Sequence, residues 1–398
     1  MSAQSYPIRR FTPEKSSLGR LFARDSVVRR MDWLLLFATL LLCLIGTLLV
    51  YSATRNRTDL THGDQYYFLL RHVMNAGIGL GLAIGAMAIG HHRMRNVVPF
   101  FYALSILGIL AVLSPLGSTI NGAHAWIVIG GGFSIQPAEF VKVAIIIGMA
   151  MVLSARVDAG DKLHPDHRTV LQALSLAALP VLIIMMMPDL GSVMVLAAIV
   201  LGVLLASGAS SRWVFGLIGT GIAGAVAVWQ LGILDKYQID RFAAFANPAL
   251  DPSGVGYNTS QARIAIGSGG LLGKGLFHGS QTTGQFVPEQ QTDFVFSVAG
   301  EELGFVGSIL IIALIGLILF RACAIARGAT DLYGTIVAAG IVAWFSFQSF
   351  ENIGMAMGIM PVAGIPLPFV SYGGSSMFAN FIAIGLLQSV KMQRPMSA

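Results

Sequence analysis

Ten apolar runs, each about as long as a helix needs to cross a bilayer, follow one another along this chain. They fall near residues 33–53, 67–89, 98–115, 136–154, 170–187, 190–208, 213–232, 296–320, 332–358 and 366–390. About 20 helical residues span about 30 Å of hydrocarbon. A backbone crossing lipid must satisfy its own N–H and C=O groups, so runs of this length form helices. With 55% hydrophobic and 11% charged residues in 398, the chain cannot cover a soluble globule with polar surface. The expected fold is an all-α polytopic membrane protein of about ten transmembrane helices.

Basic residues set the expected orientation, because short loops rich in Lys and Arg stay in the cytoplasm. Arg9, Arg10, Lys15, Arg20, Arg24, Arg29 and Arg30 precede the first run, and alternate later loops carry Arg93 and Arg95, then Arg156, Lys162 and Arg168, then Arg212, then Arg321 and Arg327. Both termini are expected in the cytoplasm. Arg55 and Arg57 break the rule in the first outer loop but are outnumbered. The division that follows is a cytoplasmic basic tail at 1–32, a transmembrane domain at 33–392 and a cytoplasmic tail at 393–398. The opening segment lacks a small-residue cleavage site and is expected to be retained. Its seven basic against three acidic residues account for most of the net charge of +6 and suit anionic lipid heads. No aromatic-interleaved basic groove accompanies them, so no nucleic-acid partner is expected. Cys43 and Cys323 are too few for a disulfide framework.

Two outer connections stand out. Residues 116–135 form a Gly-rich amphipathic stretch expected to lie in the membrane interface with Trp126 as anchor, and residues 233–292, between spans 7 and 8, are expected to form a large ordered extracytoplasmic loop. No strong internal repeat supports an inverted-repeat transporter.

Charged residues near membrane depth are costly, so each demands a reason. Glu139 and Lys142 stand three apart on one helical face, either as a self-neutralising pair or with Lys142 near the outer mouth for an anionic head group. Asp189, after Pro188, caps the next helix or positions substrate or a cation. Glu351 is expected to be buried beside a basic partner. Arg241, Arg263 and Lys274, with the glycines at 267–275, could approach an oxyanion. Asp293 is delivered by the long loop to the outer mouth, as the cap of the eighth helix or as a working carboxylate. Glu301 and Glu302 follow about two turns deeper.

Several motifs in order carry a resemblance: Gln136-Pro-Ala-Glu-Phe-Val-Lys, Pro188-Asp-Leu-Gly-Ser, Asn247-Pro, Asp251-Pro-Ser-Gly-Val-Gly-Tyr, Ile264-Ala-Ile-Gly-Ser-Gly-Gly-Leu, Pro288-Glu-Gln-Gln-Thr-Asp-Phe and Pro366-Leu-Pro-Phe-Val-Ser-Tyr-Gly-Gly-Ser-Ser. Over about residues 30–392 the chain resembles the SEDS (shape, elongation, division and sporulation) family. The stretch from Gly364 to Tyr372 is similar to its RodA elongation branch. The chain departs from the family where Gln291 replaces a frequent His and Ala125 a basic residue.

The resemblance implies a peptidoglycan glycosyltransferase of the bacterial cytoplasmic membrane, polymerising lipid II on the outer side during elongation and shape maintenance. It implies Asp293 as catalytic base and a class B penicillin-binding protein as partner, with lipid II, the polyprenyl-linked glycan and membrane lipids as other contacts. Expected substrate contacts are Lys142, Glu139, Asp189, Arg241, Arg263, Lys274, Thr292, Ser371 and Tyr372. Glu301, Glu302, Pro366, Pro368, Gly373 and Gly374 are expected to support the site. The one cofactor to expect is a divalent cation, Mg²⁺ or Mn²⁺, which Asp189 or Glu139 could hold against the pyrophosphate. A division-type FtsW polymerase, a lipid II flippase and a scaffold for an active partner are the alternatives.

Overall fold

The computed structural model describes residues 27–57, 63–120, 123–130, 133–187, 189–232 and 254–393, with 239 and 245 as isolated positions. The helices are α1 (Trp33–Thr54), α2 (Tyr67–Ile89), α3 (His91–Val112), α4 (Pro137–Asp158), α5 (His167–Met185), α6 (Leu190–Ala206), α7 (Ser211–Gln230), α8 (Val255–Ser268), α9 (Ser280–Thr283), α10 (Val295–Glu302), α11 (Gly304–Arg327), α12 (Leu332–Met357) and α13 (Gly374–Met392). Eight of them, α1 to α5, α7, α11 and α12, are long and apolar enough to cross a membrane, and α6 is a shorter apolar helix. With α13, they stand in the order of the ten apolar runs. The chain is a multi-pass helical protein.

Four aspartates start helices by accepting a backbone N–H that would otherwise be orphaned. Asp32 receives Leu35, Asp166 receives Thr169, Asp189 receives Ser192 and Asp331 receives Gly334, at 3.1, 2.9, 3.0 and 3.0 Å. At the end of the bundle carrying the basic loops, the same residues also hold helices together. Arg321 of α11 binds Asp32 at 2.7 Å, and Gln388 of α13 brackets the Asp32 backbone at 2.8 and 2.9 Å. Arg95 of α3 pairs with Asp158 of α4 and, at 3.4 Å, with Asp331. The described residues nearest the two termini therefore share one end.

The interior is built on α4, α12 and α13. Two thirds (67%) of α4 is buried, against 6% of α7, so α7 meets lipid around most of its surface. α13 lies tightly along α2, where a side chain at Gly79 would strike the Phe381 ring at 2.6 Å.

Four features differ from the sequence expectation. Residues 117–135 form a three-stranded antiparallel sheet, β1 (Gly117–Ile120), β2 (Ala123–Gly130) and β3 (Phe133–Ile135), so the fold is not purely α. The run Ala-Trp-Ile-Val-Ile is β-branched and aromatic, a composition that suits paired strands. His124 donates to the Val112 carbonyl at 2.9 Å and tethers β2 to α3. The third helix starts earlier than its apolar run, at His91, which brings Arg95 into the helix for its ion pairs. The run at 296–320 is broken into α10 and α11 at Gly304, which takes φ +67° and where a Cβ would lie 2.2 Å from the Gly273 backbone nitrogen. The last helix starts at Gly374, not at 366. Pro366 and Pro368 lack N–H donors, and Phe369 takes φ +64° with its ring 5.5 Å from those of Phe345 and Phe381.

Of the long connection, α8 and α9 are ordered helices. Arg241, most of 233–253 and the tails at 1–26 and 394–398 lie outside the described residues.

Candidate active site

Asp293 sits in a turn whose geometry comes from Glu289. That residue has φ +50°, and its carbonyl accepts the N–H groups of Thr292, Asp293 and Phe294 at 3.2, 3.1 and 3.2 Å. A non-glycine residue at positive φ is sparsely populated and persists where its surroundings over-determine it. Helix α10 starts after Phe294, which occupies the cap position without a side-chain cap bond. Asp293 is thus not the cap of its helix. Its side chain is partly exposed, while Phe294, Val295 and Phe296 behind it are buried.

The turn is fastened from two directions. Asn352 of α12 donates through Nδ2 to the carbonyls of both Asp293 and Ile365, each at 2.8 Å. Ser371 donates to the Thr292 carbonyl at 2.5 Å while accepting the Leu367 N–H at 2.8 Å, and the Tyr372 N–H donates to the Gln291 carbonyl at 2.9 Å. Thr292 faces Glu289, its hydroxyl 3.1 Å from Oε2. Ser371, Tyr372 and Thr292 are thus joined to the Asp293 turn. Gly46 of α1 makes room for the 366–371 loop, since a Cβ there would lie 2.6 Å from the Val370 backbone. Pro366 gives its carbonyl to Gln348 at 2.7 Å, and Gly373 and Gly374 open α13.

Lys142 is elsewhere in character. Fully buried, it binds Glu139 at 2.6 Å and the Gln348 Oε1 at 3.0 Å, with the Trp344 ring 5.3 Å away. It is sealed within the bundle and does not open to the mouth. Breaking such a pair by removing one partner costs roughly 3–5 kcal/mol. Asp189 is held by Ser192 through both oxygens, at 3.0 and 2.7 Å, and is 3.4 Å from Gln136 Nε2. Glu351 lacks the basic partner expected of it among the described residues: both oxygens are buried with no hydrogen-bond partner there.

Glu301 and Glu302 clamp the loop before α9. Glu301 accepts from Lys274 Nζ (2.9 Å), Gln281 N–H (2.9 Å) and Thr282 N–H and hydroxyl (both 2.8 Å). Burial pushes its carboxyl up, but these donors outweigh burial and hold it below the ordinary range. Glu302 accepts from the Ser52 hydroxyl at 2.5 Å and the Phe277 N–H at 3.1 Å, and there burial wins and raises the carboxyl. Lys274 is therefore engaged in a structural ion pair. Arg263 of α8 is exposed and packs against Gly358.

Sequence reasoning missed Arg55 and Arg57 as parts of this region. Arg57 donates to Gln291 Oε1 at 3.2 Å, and Arg55 lies over the Phe277 ring at 5.3 Å. Their breach of the charge rule was the available signal. Lys142 takes one oxygen of Glu139, Ser192 engages both oxygens of Asp189, and no group of three or more His, Cys, Asp or Glu gathers among the described residues.

Residues 32–395 match the model of the cell cycle protein family FTSW_RODA_SPOVE. The chain is 38% identical over 363 residues to stage V sporulation protein E of Bacillus subtilis strain 168, covering 90% of this chain and 96% of that one. It is 34% identical over 368 residues to a probable peptidoglycan glycosyltransferase FtsW of Trichlorobacter lovleyi, covering 90% and 92%. Among solved structures, a chain from work on structural coordination of polymerization and crosslinking by a peptidoglycan synthase complex superposes with TM-score 0.74 at 29% identity, covering 92% and 99%. The rod shape determining protein RodA of Thermus thermophilus superposes with TM-score 0.65 at 29% identity, covering 92% and 98%.

Proposed function

This chain belongs to the FtsW/RodA/SpoVE family of multi-pass membrane proteins and is a peptidoglycan glycosyltransferase, and we propose that it polymerises lipid II with Asp293 as general base. The observation that carries the assignment is a carboxylate that leaves its helix uncapped, remains partly exposed, and has its backbone fixed by Glu289 and Asn352.

In this reading the 4-hydroxyl of an acceptor GlcNAc attacks the anomeric carbon of a donor MurNAc. The hydroxyl proton passes to Asp293 as the C–O bond forms. The bond to the polyprenyl pyrophosphate breaks, and the electron pair leaves on that phosphate. One displacement converts an α-linked ester to a β1,4 bond. Positioned base catalysis of this kind contributes roughly 10² to 10⁴-fold. Pyrophosphate needs its charge countered more than it needs an acid. The exposed Arg263, with Arg241, is assigned that work in place of the sealed Lys142.

The charge pattern supports cytoplasmic termini and an outward-facing Asp293. The segment Gly364-Ile-Pro-Leu-Pro-Phe-Val-Ser-Tyr supports the elongation branch, with a class B penicillin-binding protein as the crosslinking partner. Depletion that rounds rod-shaped cells fits elongation; filamentation fits division. The activity test uses the purified chain with its partner and labelled lipid II. Glycan strands are expected from the unmodified protein and none from Asp293→Asn. Transport of lipid II without polymerisation would sink the assignment in favour of a flippase.

A further inference from the structure

The first turn of α13 gathers polar groups that lack partners among the described residues. Its first intrahelical bond runs from the Met377 N–H to the Gly373 carbonyl at 3.1 Å, and no side chain caps the N–H groups of Gly374, Ser375 and Ser376 ahead of it. A helix of 19 residues presents about half a positive charge at this end. Orphan donors alone would mark any helix start. Here α2 adds an independent observation. Asn75 is 4% exposed and makes no hydrogen bond among the described residues, and its Nδ2 and Oδ1 lie 3.4 and 3.5 Å from where a Gly374 Cβ would stand. One turn earlier, His72 is fully buried with neither ring nitrogen partnered among the described residues, its ring stacked on Tyr372 at 6.3 Å.

Native interiors satisfy nearly all buried polar groups, and each orphan costs about 1–3 kcal/mol. The donors these side chains offer are Asn75 Nδ2 and one ring nitrogen of His72, on one face of α2, and the Asn75 amide lies against the uncapped helix start, which together describe a site whose partner is a ligand. Arg71 supplies a full positive charge beside the Tyr372 hydroxyl. Gly373 and Gly374 are partly exposed, so the turn can be reached. The Tyr372 N–H binds the Gln291 carbonyl at 2.9 Å, which ties this turn to the segment bearing Asp293.

We propose that the N–H groups of Gly374 to Ser376, with Asn75, His72 and Arg71, form a subsite for the pyrophosphate of a polyprenyl-linked substrate or leaving group. The assignment rests on the glycosyltransferase reading for the identity of the anion. Backbone N–H groups, an amide and a neutral imidazole donate to phosphate oxygens, a combination suited to helix-start anion binding. A substrate bound there would be held beside the turn that carries the base.

Proline at the first helical position deletes one donor with little other cost, and extended Gly373 (φ 170°, ψ 117°) tolerates a following proline. Gly374→Ala adds a comparable Cβ but keeps the N–H. Titration of the detergent-purified full chain with farnesyl pyrophosphate should show Gly374→Ala within about twofold of the unmodified protein. Gly374→Pro should bind about tenfold more weakly, as should Asn75→Asp. Equal binding by the Pro and Ala variants, or none by the unmodified chain, would overturn the subsite. The Gly374 pair decides the matter even if the Asn75 variant fails to fold. Inorganic pyrophosphate showing the same Pro-to-Ala ratio supports recognition of the pyrophosphate itself. A short-chain phosphatidylglycerol that binds as tightly, with the same ratio, would overturn it in favour of a general anionic-lipid site. Binding is read without turnover, so polymerisation by Asp293→Asn would sink the base assignment and leave this result standing.

Discussion

Two polar nodes lie toward the same end of the bundle and are built in opposite ways. Around Lys142, the charged groups are enclosed and directed at one another: Glu139 and Gln348 take the ammonium at 2.6 and 3.0 Å, and Trp344 donates to the same Gln348 oxygen at 2.6 Å. Around Asp293, the fixed groups are backbone carbonyls, held by Asn352 and Ser371, while the carboxylate stays partly exposed. The difference separates two uses of charge in a membrane. The sealed Lys142 joins α4 to α12 through Gln348, and losing either it or Glu139 leaves a buried charge. A carboxylate that must meet a substrate hydroxyl needs a rigid backbone and an approachable side chain.

The largest expected effect is on chemistry. Asp293→Asn should lower glycan polymerisation roughly 10² to 10⁴-fold with an unchanged melting temperature; a variant that unfolds instead would make Asp293 another sealed structural group. Lys142→Met should do the reverse, destabilising the protein by roughly 3–5 kcal/mol through the orphaned Glu139, with Glu139→Gln added to it restoring much of the loss. Thermal unfolding in detergent reads this. A stable Lys142→Met that loses only lipid II binding would move the lysine into the substrate site.

Glu301 gives a third, smaller test. Its folded carboxyl titrates below the ordinary range, so its contribution is present above the unfolded value and lost as pH falls through the folded one. Glu301→Gln should cost roughly 1.5–3 kcal/mol at neutral pH. It should also flatten the acid-induced rise in proteolysis at 274–282, since no carboxylate remains there to protonate. The raised carboxyl of Glu302 acts in the opposite direction, its charged form being favoured less in the folded state. The smallest effect is expected of Ser371→Ala, about 1 kcal/mol from the lost bond to Thr292. Polymerisation should fall only a few-fold, and a loss as deep as that of Asp293→Asn would show that the hydroxyl itself meets substrate.

Legibility followed the range of the forces involved. The apolar runs announce helices because spanning lipid is a local requirement of each segment. The aspartate caps are legible for the same reason, since a cap bonds three residues away. The sheet at 117–135 was hidden because its mixed polarity reads only as an amphipathic interfacial stretch, and pairing between strands is a longer-range choice. The late start of α13 at Gly374 was legible in Pro366 and Pro368 but masked by the hydrophobicity around them. Arg57 reached the site through α1, 234 positions from Gln291, a proximity no local pattern carries.

By itself, the sequence determined that this chain crosses a membrane about ten times and that Asp293 belongs at a bundle end, because length, hydropathy and motif order are properties of consecutive residues. Tertiary structure alone decided that Lys142 is sealed, that Glu301 and Glu302 clamp a loop, that Glu351 has no hydrogen-bond partner among the described residues and that Asp293 does not cap α10. Each of those outcomes depends on which groups distant helices bring within about 3 Å, where hydrogen bonding and desolvation compete.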